Sequence, residues 1–200
     1  AVTAIVESAF QSAGQRCSAL RCLYVQEDVA DTMQEMLIGA MKELCLSAPW
    51  DLRTDVGPLI DAEAQIQISD YVATARAQGR VLYELDQPEK GHFVPPALIG
   101  VNGIPDLERE VFGPILYIAR FKASELDQVI NDINDTGYGL TFGLQTRIDD
   151  RVQHVSERIK AGNIYVNRNQ IGAIVGSQPF GGAGLSGTGP KAGGPLYLSR

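Results

Sequence analysis

The sequence predicts an α/β layer sandwich whose sheet is mostly parallel. Apolar residues recur at helical spacing in several segments, and short runs rich in β-branched and aromatic residues separate those segments. Strands that alternate with helices in this way favour parallel pairing, because each helix carries the chain back across the sheet. With 200 residues and 44% hydrophobic content the chain can bury a core, and we expect residues 1–200 to form a single globular domain.

The first predicted elements are a helix, a strand and a second helix. Apolar residues between Val2 and Ala13 form one helical stripe, and Gly14 follows where a helix C-terminus favours a left-handed residue. Residues 21–26 form a strand candidate. Asp28 is the expected N-cap of the next helix, whose predicted buried face comprises Val29, Met33, Met36, Leu37, Ala40 and Leu44.

The middle of the chain predicts one helix and three strands. Asp61 is placed to cap a helix that ends near Gly79, and its inward residues are Ala64, Ile68, Tyr71, Val72 and Ala75. Strand candidates follow at 81–85 and 97–101. Residues 115–121 are almost all apolar and are typical of a buried strand.

The last third predicts two helices and two strands before regular patterning ends. Ser124 and Asp127 resemble a capping box, and the helix that follows would bury Leu126, Val129, Ile130 and Ile133. Residues 140–146 and 163–167 are strand candidates, with a helix over 149–159 between them. Beyond these elements glycine becomes dense.

Charge and cysteine content argue against several classes of function. The formal charge is −7 with acidic and basic residues interspersed, so we expect no nucleic-acid binding by this segment. Three cysteines and two histidines give no zinc-ligand spacing, and we expect no metal site. No apolar run is long enough to span a bilayer. An odd number of cysteines without a Cys-x-x-Cys pair predicts reduced thiols in a cytoplasmic protein.

Cys17 is the candidate nucleophile among the three cysteines. Its neighbours Gly14–Arg16 and Ser18 are small or polar, so the sulfur can be exposed, and the adjacent arginine favours a thiolate. Cys22 and Cys45 lie in apolar contexts that predict buried, structural thiols. The alternative is that Cys17, like Cys22 and Cys45, is only a small buried side chain.

Four separated segments carry a resemblance to a known family. They are Gly14–Ala19 (GQRCSA), Glu110–Pro114 (EVFGP), Tyr138–Leu140 (YGL) and Pro179–Gly182 (PFGG). In this order they resemble the nucleophile, cofactor, turn and Pro-Phe-Gly-Gly motifs of aldehyde dehydrogenases. The resemblance implies the layer sandwich of that family's catalytic domain, with Cys17 as the catalytic residue and NAD as the cofactor.

Finer features resemble the pyrroline-5-carboxylate dehydrogenases. These are Cys-Ser-Ala at the nucleophile, residues 169–176 (NQIGAIVG) and residues 186–195 (SGTGPKAGGP). The last run is most similar to the bifunctional proline utilization A group, in which an FAD-dependent proline dehydrogenase would precede this segment. The resemblance therefore implies NAD-dependent oxidation of L-glutamate γ-semialdehyde to L-glutamate, the second step of proline catabolism.

The resemblance also implies roles for particular side chains. Glu110 would hydrogen-bond the ribose hydroxyls of the nicotinamide nucleotide, and Phe112 would pack against the nicotinamide region. For the substrate, Ser18, Gly172 and Ala173 would contact the α-carboxylate, and Phe180 would pack on the aliphatic middle of the molecule. The alternatives are structural: Glu110 as a solvated loop carboxylate, Gly172 as a turn former and Ser18 as a local backbone partner.

Several parts of such an enzyme are not found in these 200 residues. The family's general-base glutamate, oxyanion asparagine and Rossmann nucleotide-binding domain would all lie N-terminal to the nucleophile. Because these parts are missing, we expect the chain to be inactive alone. Residue 1 is not Met and the chain opens within a helical pattern, so we expect a fragment. We also expect a homo-oligomer in full-length form. Alternatives are another semialdehyde dehydrogenase, a CoA-acylating aldehyde dehydrogenase or a non-catalytic assembly module.

One motif imitates a dinucleotide-binding fingerprint. Residues 182–187 (GAGLSG) satisfy Gly-x-Gly-x-x-Gly, but they follow Pro179-Phe180 and not a clear strand. Too few residues remain for a βαβ unit. We therefore interpret this run as a structural glycine loop.

Overall fold

The computed structural model describes residues 1–88 and 90–199. The chain divides into two compact units: Val2–Ala123, called here the N-terminal unit, and the residues from Ser124 onward together with Ala1, called the C-terminal unit. Within the described ranges no helix is both long enough and apolar enough to cross a membrane.

The N-terminal unit contains three α-helices and a four-stranded sheet. The helices are α1 (Val2–Phe10), α2 (Glu27–Lys42) and α3 (Ala62–Ala77), and the strands are β1 (Cys22–Gln26), β2 (Val81–Glu84), β3 (Ala97–Gly100) and β4 (Ile115–Phe121). The strand order is β1-β4-β3-β2. β4 pairs in parallel with β1 and with β3, while β2 pairs antiparallel to β3. The prediction of an α/β fold with a mostly parallel sheet is confirmed.

The core of this unit is the central strand pair and the helix faces packed on it. Residues of β3 and β4 such as Leu98, Ile99 and Leu116 are fully buried, because both faces of the inner strands are covered. Phe10 of α1 and Leu37 of α2 belong to the same apolar cluster. Each such side chain contributes about 1.5–3 kcal/mol through removal of its surface from water.

The pairing of β1 with β4 positions the residues that precede both strands. Cys22 of β1 is in register with Tyr117 of β4, and the Tyr117 N–H donates to the Arg21 carbonyl at 2.8 Å. Because the two strands run parallel and side by side, the segments leading into them end at the same edge of the sheet. Those segments are 17–21 and 110–114.

The first helix is shorter than the apolar stripe predicts. α1 ends at Phe10, and Ser12 and Ala13 adopt left-handed φ values of 57° and 53° within a short 3₁₀ turn. Gly14 has the predicted left-handed conformation, with φ of 64°. Ala13 is buried as expected, but through this turn and not as part of the helix.

The second helix begins two residues early and buries a partly different stripe. Glu27 starts α2 with no side-chain cap, and Asp28 lies in the first turn, where its charge is favourable to the helix dipole. Val29 and Met36, predicted to be buried, are exposed. Leu37 is buried as predicted, together with Ala30 and Met41, and Met33 and Leu44 pack against the core. The face that packs on the core therefore keeps part of the predicted stripe and extends to Ala30 and Met41.

The third helix follows its prediction closely. The Asp61 side chain accepts a hydrogen bond from the Ala64 N–H at 2.8 Å, which is the expected N-cap. Gly79 follows the helix end with φ of 70°. Ile68, Val72 and Ala75 are buried, and Ala64 and Tyr71 pack against the core.

The C-terminal unit has a smaller core of its own, formed by Ile130, Val155 and Ile159. Its elements are α4 (Leu126–Asp135), α5 (Asp149–Ser156), β5 (Tyr138–Gly139), β6 (Thr141–Leu144), β7 (Asn163–Val166) and β8 (Ala183–Gly184). β6 and β7 pair in parallel, and β5 and β8 pair antiparallel.

Two helix boundaries in this unit differ from expectation. Ser124 lies in a 3₁₀ turn over Ala123–Glu125, and no side chain caps α4, so the predicted capping box is wrong. α5 ends at Ser156, three residues before the predicted end at Ile159. Ile159 still packs into the core.

The glycine run that imitates a nucleotide fingerprint is structural. Gly184, with φ of 59°, lies in β8, and a Cβ there would stand 2.5 Å from the Gly137 carbonyl oxygen. Across the described residues no α-helix follows Ser156. The strand–turn–helix context that a dinucleotide fingerprint requires is not formed, which confirms the interpretation as a glycine loop.

Candidate active site

Cys17 lies at an exposed position of a tight turn. The Ala19 N–H donates to the Arg16 carbonyl at 3.1 Å, so Cys17 and Ser18 are the two central residues of a β-turn. Ser18 is only 6% exposed. The Leu20 N–H donates to the Ser8 carbonyl of α1 at 2.9 Å and anchors the end of the turn. The turn therefore presents the Cys17 thiol outward and Ser18 inward.

The residues before Cys17 bring this turn against the 110–114 segment. Ser12, Ala13 and Gly14 are all left-handed, an unfavourable conformation for the first two. A Cβ on Gly14 would stand 2.2 Å from the carbonyl oxygen of Gly113. Only glycine permits this approach, so the turn and the 110–114 segment touch through their backbones.

Arg21 joins the same two segments through its side chain. Its Nε donates to Glu110 Oε1 at 3.1 Å, its Nη1 to the Gly113 carbonyl at 3.1 Å and its Nη2 to the Arg16 carbonyl at 3.2 Å. The guanidinium also lies over the Phe112 ring, 5.0 Å from its centroid. One side chain thus contacts both predicted cofactor residues and the residue before Cys17.

The surroundings of Arg21 indicate that it orients the Glu110 carboxylate and adds little to stability. Its side chain is 15% exposed, and burial lowers the pKa of the guanidinium while the Glu110 carboxylate acts in the opposite sense. Arginine remains protonated under such conditions. Glu110 is 56% exposed, so solvent screens this ion pair and its contribution to stability is small. What the pair provides is a fixed orientation for the Glu110 carboxylate.

Arg21 is a functional candidate that sequence reasoning missed. The sequence places it at the start of a predicted strand, and only the pairing of β1 with β4 brings it to Glu110, 89 residues later. The signal in the sequence was an arginine at the entrance of an otherwise apolar strand. A charge there needs partners, because a buried charge is unfavourable without them.

Glu110 and Phe112 face outward from their segment. Val111 and Gly113 are buried, while the Glu110 carboxylate and the Phe112 ring, 41% exposed, are open to solvent. An extended segment alternates its side chains in this way. The result is a hydrogen-bond acceptor and a flat apolar ring presented side by side.

The other two cysteines differ from Cys17. Cys22 packs against the core, and burial, helped by the negative charge of Asp106, raises the pKa of its thiol to about 12. Cys45 is half-buried and, like the others, forms no disulfide. Within the described ranges no cluster of three or more His, Cys, Asp or Glu side chains is placed to hold a metal ion.

The remaining predicted residues belong to the C-terminal unit. Gly172 is half-buried and Ala173 exposed, in a loop that follows β7. Phe180 is half-buried, and its backbone exchanges hydrogen bonds with Ala192 at 2.9 and 2.7 Å. Asn163 holds this region from both sides: its Nδ2 donates to the Pro179 carbonyl and its Oδ1 accepts from the Gly181 N–H.

The predicted site residues thus fall into two groups. Cys17, Ser18, Glu110 and Phe112 lie in the N-terminal unit, where Arg21 and the backbone contact of Gly14 bring the nucleophile turn to the cofactor segment. The second group, in the C-terminal unit, comprises Gly172, Ala173 and Phe180.

Comparison with known proteins identifies relatives along the whole chain. Bifunctional protein PutA of Klebsiella aerogenes is 52% identical over 204 residues, which cover 98% of this chain and 16% of that protein. A crystal structure of a Bradyrhizobium japonicum proline utilization A mutant matches with a TM-score of 0.96 and 52% identity, over all of this chain and 20% of that one. The 1-pyrroline-5-carboxylate dehydrogenase from Thermus, solved with bound NAD, matches with a TM-score of 0.90 and 30% identity, over 99% of this chain and 38% of that one.

The chain therefore spans between about a sixth and two fifths of the relatives it matches. The family model described as the aldehyde dehydrogenase family matches residues 1–200. This agrees with the order of motifs, the mostly parallel sheet and the exposed cysteine in its turn. The chain belongs to the aldehyde dehydrogenase family.

Proposed function

We propose that this chain is the nucleophile-bearing part of an enzyme that oxidises L-glutamate γ-semialdehyde to L-glutamate with NAD, the second step of proline catabolism. The observation that carries the proposal is the exposed Cys17 thiol, in a turn that Arg21 ties to the Glu110–Phe112 segment. The relatives named as PutA and 1-pyrroline-5-carboxylate dehydrogenase support this choice of aldehyde.

In the proposed chemistry the Cys17 thiolate attacks the aldehyde carbon. A carbon–sulfur bond forms, the carbonyl electron pair moves to oxygen, and the Cys17 backbone N–H is a donor available to that oxyanion. The resulting thiohemiacetal loses hydride and becomes a thioester. Attack of water on the thioester then breaks the carbon–sulfur bond and releases the acid and the thiol. A thiolate suits both steps because it is a strong nucleophile and a good leaving group.

The outward-facing pair Glu110 and Phe112 fits a nicotinamide nucleotide. A carboxylate accepts hydrogen bonds from neighbouring ribose hydroxyls, and an exposed aromatic ring packs on a flat heterocycle. When bound, NAD supplies the hydride acceptor. Arg21 prevents Glu110 from rotating freely and covers one face of Phe112, so both side chains are oriented before the cofactor arrives.

For the substrate, we propose that Ser18, Gly172 and Ala173 bind the α-carboxylate and that Phe180 packs on the aliphatic chain. Small residues let an anion approach backbone N–H groups.

We further propose a cytoplasmic homo-oligomer with reduced thiols, in which a Rossmann NAD-binding domain completes the site. In a bifunctional protein, FAD would belong to a separate proline dehydrogenase domain. The three free cysteines support the proposal of reduced thiols, and the interspersed charges favour a small-molecule substrate over nucleic acid.

The test uses the full-length native protein with NAD and L-glutamate γ-semialdehyde, with and without coenzyme A. Release of glutamate in the absence of coenzyme A is the expected result. Strict dependence on coenzyme A, with a thioester as product, would assign the protein to CoA-acylating aldehyde dehydrogenases. No NADH from any aldehyde would favour a non-catalytic assembly module.

A second experiment examines how the substrate is recognised. Ala173→Leu and Ser18→Ala should raise KM for the semialdehyde more than for an uncharged aliphatic aldehyde, because each removes binding at the carboxylate end. Equal losses on both substrates would mean that these residues position the nucleophile and do not bind the carboxylate.

A further inference from the structure

Arg168 organises the loop that carries Gly172 and Ala173. It follows β7 closely, and its guanidinium makes three hydrogen bonds to that loop. Nε donates to the Asn169 carbonyl at 3.1 Å, Nη1 to Gln178 Oε1 at 2.9 Å and Nη2 to the Gly172 carbonyl at 3.1 Å. The loop is therefore folded around one half-buried side chain.

All of these acceptors are neutral. The guanidinium also lies over the Tyr165 ring, 4.8 Å from its centroid. Over residues 1–88 and 90–199 no carboxylate comes within 4.0 Å of Arg168, whereas Arg21 is paired with Glu110. The loop around Gly172 consequently holds a positive charge that no acidic side chain of the described chain neutralises.

The contact with the Gly172 carbonyl also sets the direction of the next N–H. The Gly172–Ala173 peptide is trans, so its C=O and N–H point in opposite directions. Because the carbonyl points at Arg168, the Ala173 N–H points away from the guanidinium. Neither this N–H nor that of Gly172 donates to an acceptor among the described residues.

Gly172 is required for this arrangement. A Cβ at this position would stand 2.6 Å from Arg168 Nη2. A larger residue would displace the guanidinium or the carbonyl it holds. Gly172 and Arg168 therefore act together: the glycine leaves space for the guanidinium, and the guanidinium fixes the direction of the Gly172 carbonyl.

We propose that Arg168 is a positioning residue that determines specificity for anionic aldehydes. It orients the Ala173 N–H as a donor and adds a positive potential to the same loop, so an aldehyde with a carboxylate is bound better than an uncharged one. This inference rests on the proposed function and extends it to a residue outside the family motifs.

The test compares kcat and KM for L-glutamate γ-semialdehyde and for pentanal in the full-length native protein. Arg168→Gln should raise KM for the semialdehyde roughly tenfold, since the charge-assisted hydrogen bond to the Gly172 carbonyl and the positive charge of the loop are both lost. The value for pentanal and kcat for both aldehydes should change little. Arg168→Lys keeps the charge but not the fork of donors. Its KM for the semialdehyde should lie between that of the unmodified protein and that of Arg168→Gln. Arg147→Gln removes an exposed charge from the same unit and serves as the control.

Gln178→Ala provides a second variant if Arg168→Gln does not fold. It removes one anchor of the guanidinium and leaves its charge, so it should raise KM for the semialdehyde less than Arg168→Gln but in the same selective way. Equal losses on both aldehydes, or an unchanged KM for the semialdehyde, would overturn the role of Arg168 and leave the proposed function intact. Failure of the unmodified protein to oxidise the semialdehyde would overturn both.

Discussion

Gly14 lies so close to Gly113 that a Cβ on Gly14 would stand 2.2 Å from the Gly113 carbonyl oxygen. This contact joins the turn that bears Cys17 to the segment that bears Glu110. The Gly113 carbonyl also accepts from Arg21 Nη1, so backbone and side chain hold the two segments together at one point.

Gly14→Ala should destabilise the protein by roughly 2–4 kcal/mol. The added methyl meets a backbone oxygen that cannot rotate away, and alanine is strained at φ of 64°. Gly79→Ala is the matched control, because Gly79 has φ of 70° and nothing within 4 Å of its Cβ position. That variant should lose only about 1 kcal/mol. Urea unfolding curves compare the two, and equal losses would show that the backbone contact is not tight.

Glu110→Ala should slow hydride transfer by about a hundredfold, because small errors in cofactor alignment have large effects on rate. The measurement is NADH formation in a single turnover of the full-length protein. Glu108→Ala is the control, since Glu108 is an exposed carboxylate of the same loop. An unaltered rate in Glu110→Ala would remove this residue from the site.

Arg21→Lys should also slow hydride transfer, by roughly tenfold, although the charge is retained. A lysine cannot donate to Glu110, Gly113 and Arg16 together or stack in the same way on Phe112. In Arg21→Lys, the rate of Cys17 alkylation by iodoacetamide should change little, because the hydrogen bond from the Ala19 N–H to the Arg16 carbonyl closes the turn without Arg21. A comparable fall in alkylation would mean that Arg21 supports the nucleophile turn itself and not the cofactor segment.

Iodoacetamide at pH 8 should label Cys17 long before Cys22. The thiolate is the reactive form, and burial raises the pKa of Cys22 to about 12 while Cys17 is exposed. Because the folded pKa of Cys22 lies above its ordinary value, its contribution to stability is full below about pH 8.5 and declines as pH rises toward 12. Mass spectrometry of peptides against time gives the order, and earlier labelling of Cys22 would contradict this burial.

Much of the fold was predictable because local patterns and tertiary packing agree. The Asp61 cap, the apolar run of β4 and the left-handed Gly14 all follow from residue chemistry that acts over a few positions. The face of α2 was predicted only in part, because Val29 and Met36 extend an apolar stripe that the sheet does not cover. Which stripe is covered depends on tertiary contacts.

The candidate site was predictable only one segment at a time. Cys17 and Glu110 could be proposed from their own motifs, but their proximity depends on the pairing of β1 with β4, which no local pattern encodes. For the same reason the sequence does not predict a role for Arg21. Arg168 makes local contacts, but they depend on the backbone path of the loop that carries Gly172, which no residue pattern predicts.

Cys17 is the proposed nucleophile, and steady-state aldehyde oxidation by single cysteine variants tests this role. Cys17→Ala in the full-length protein should abolish NADH formation from L-glutamate γ-semialdehyde. Cys22→Ala and Cys45→Ala should retain turnover and lose mainly stability, because both thiols are at least partly buried away from the turn. Near-normal turnover by Cys17→Ala would contradict the mechanism.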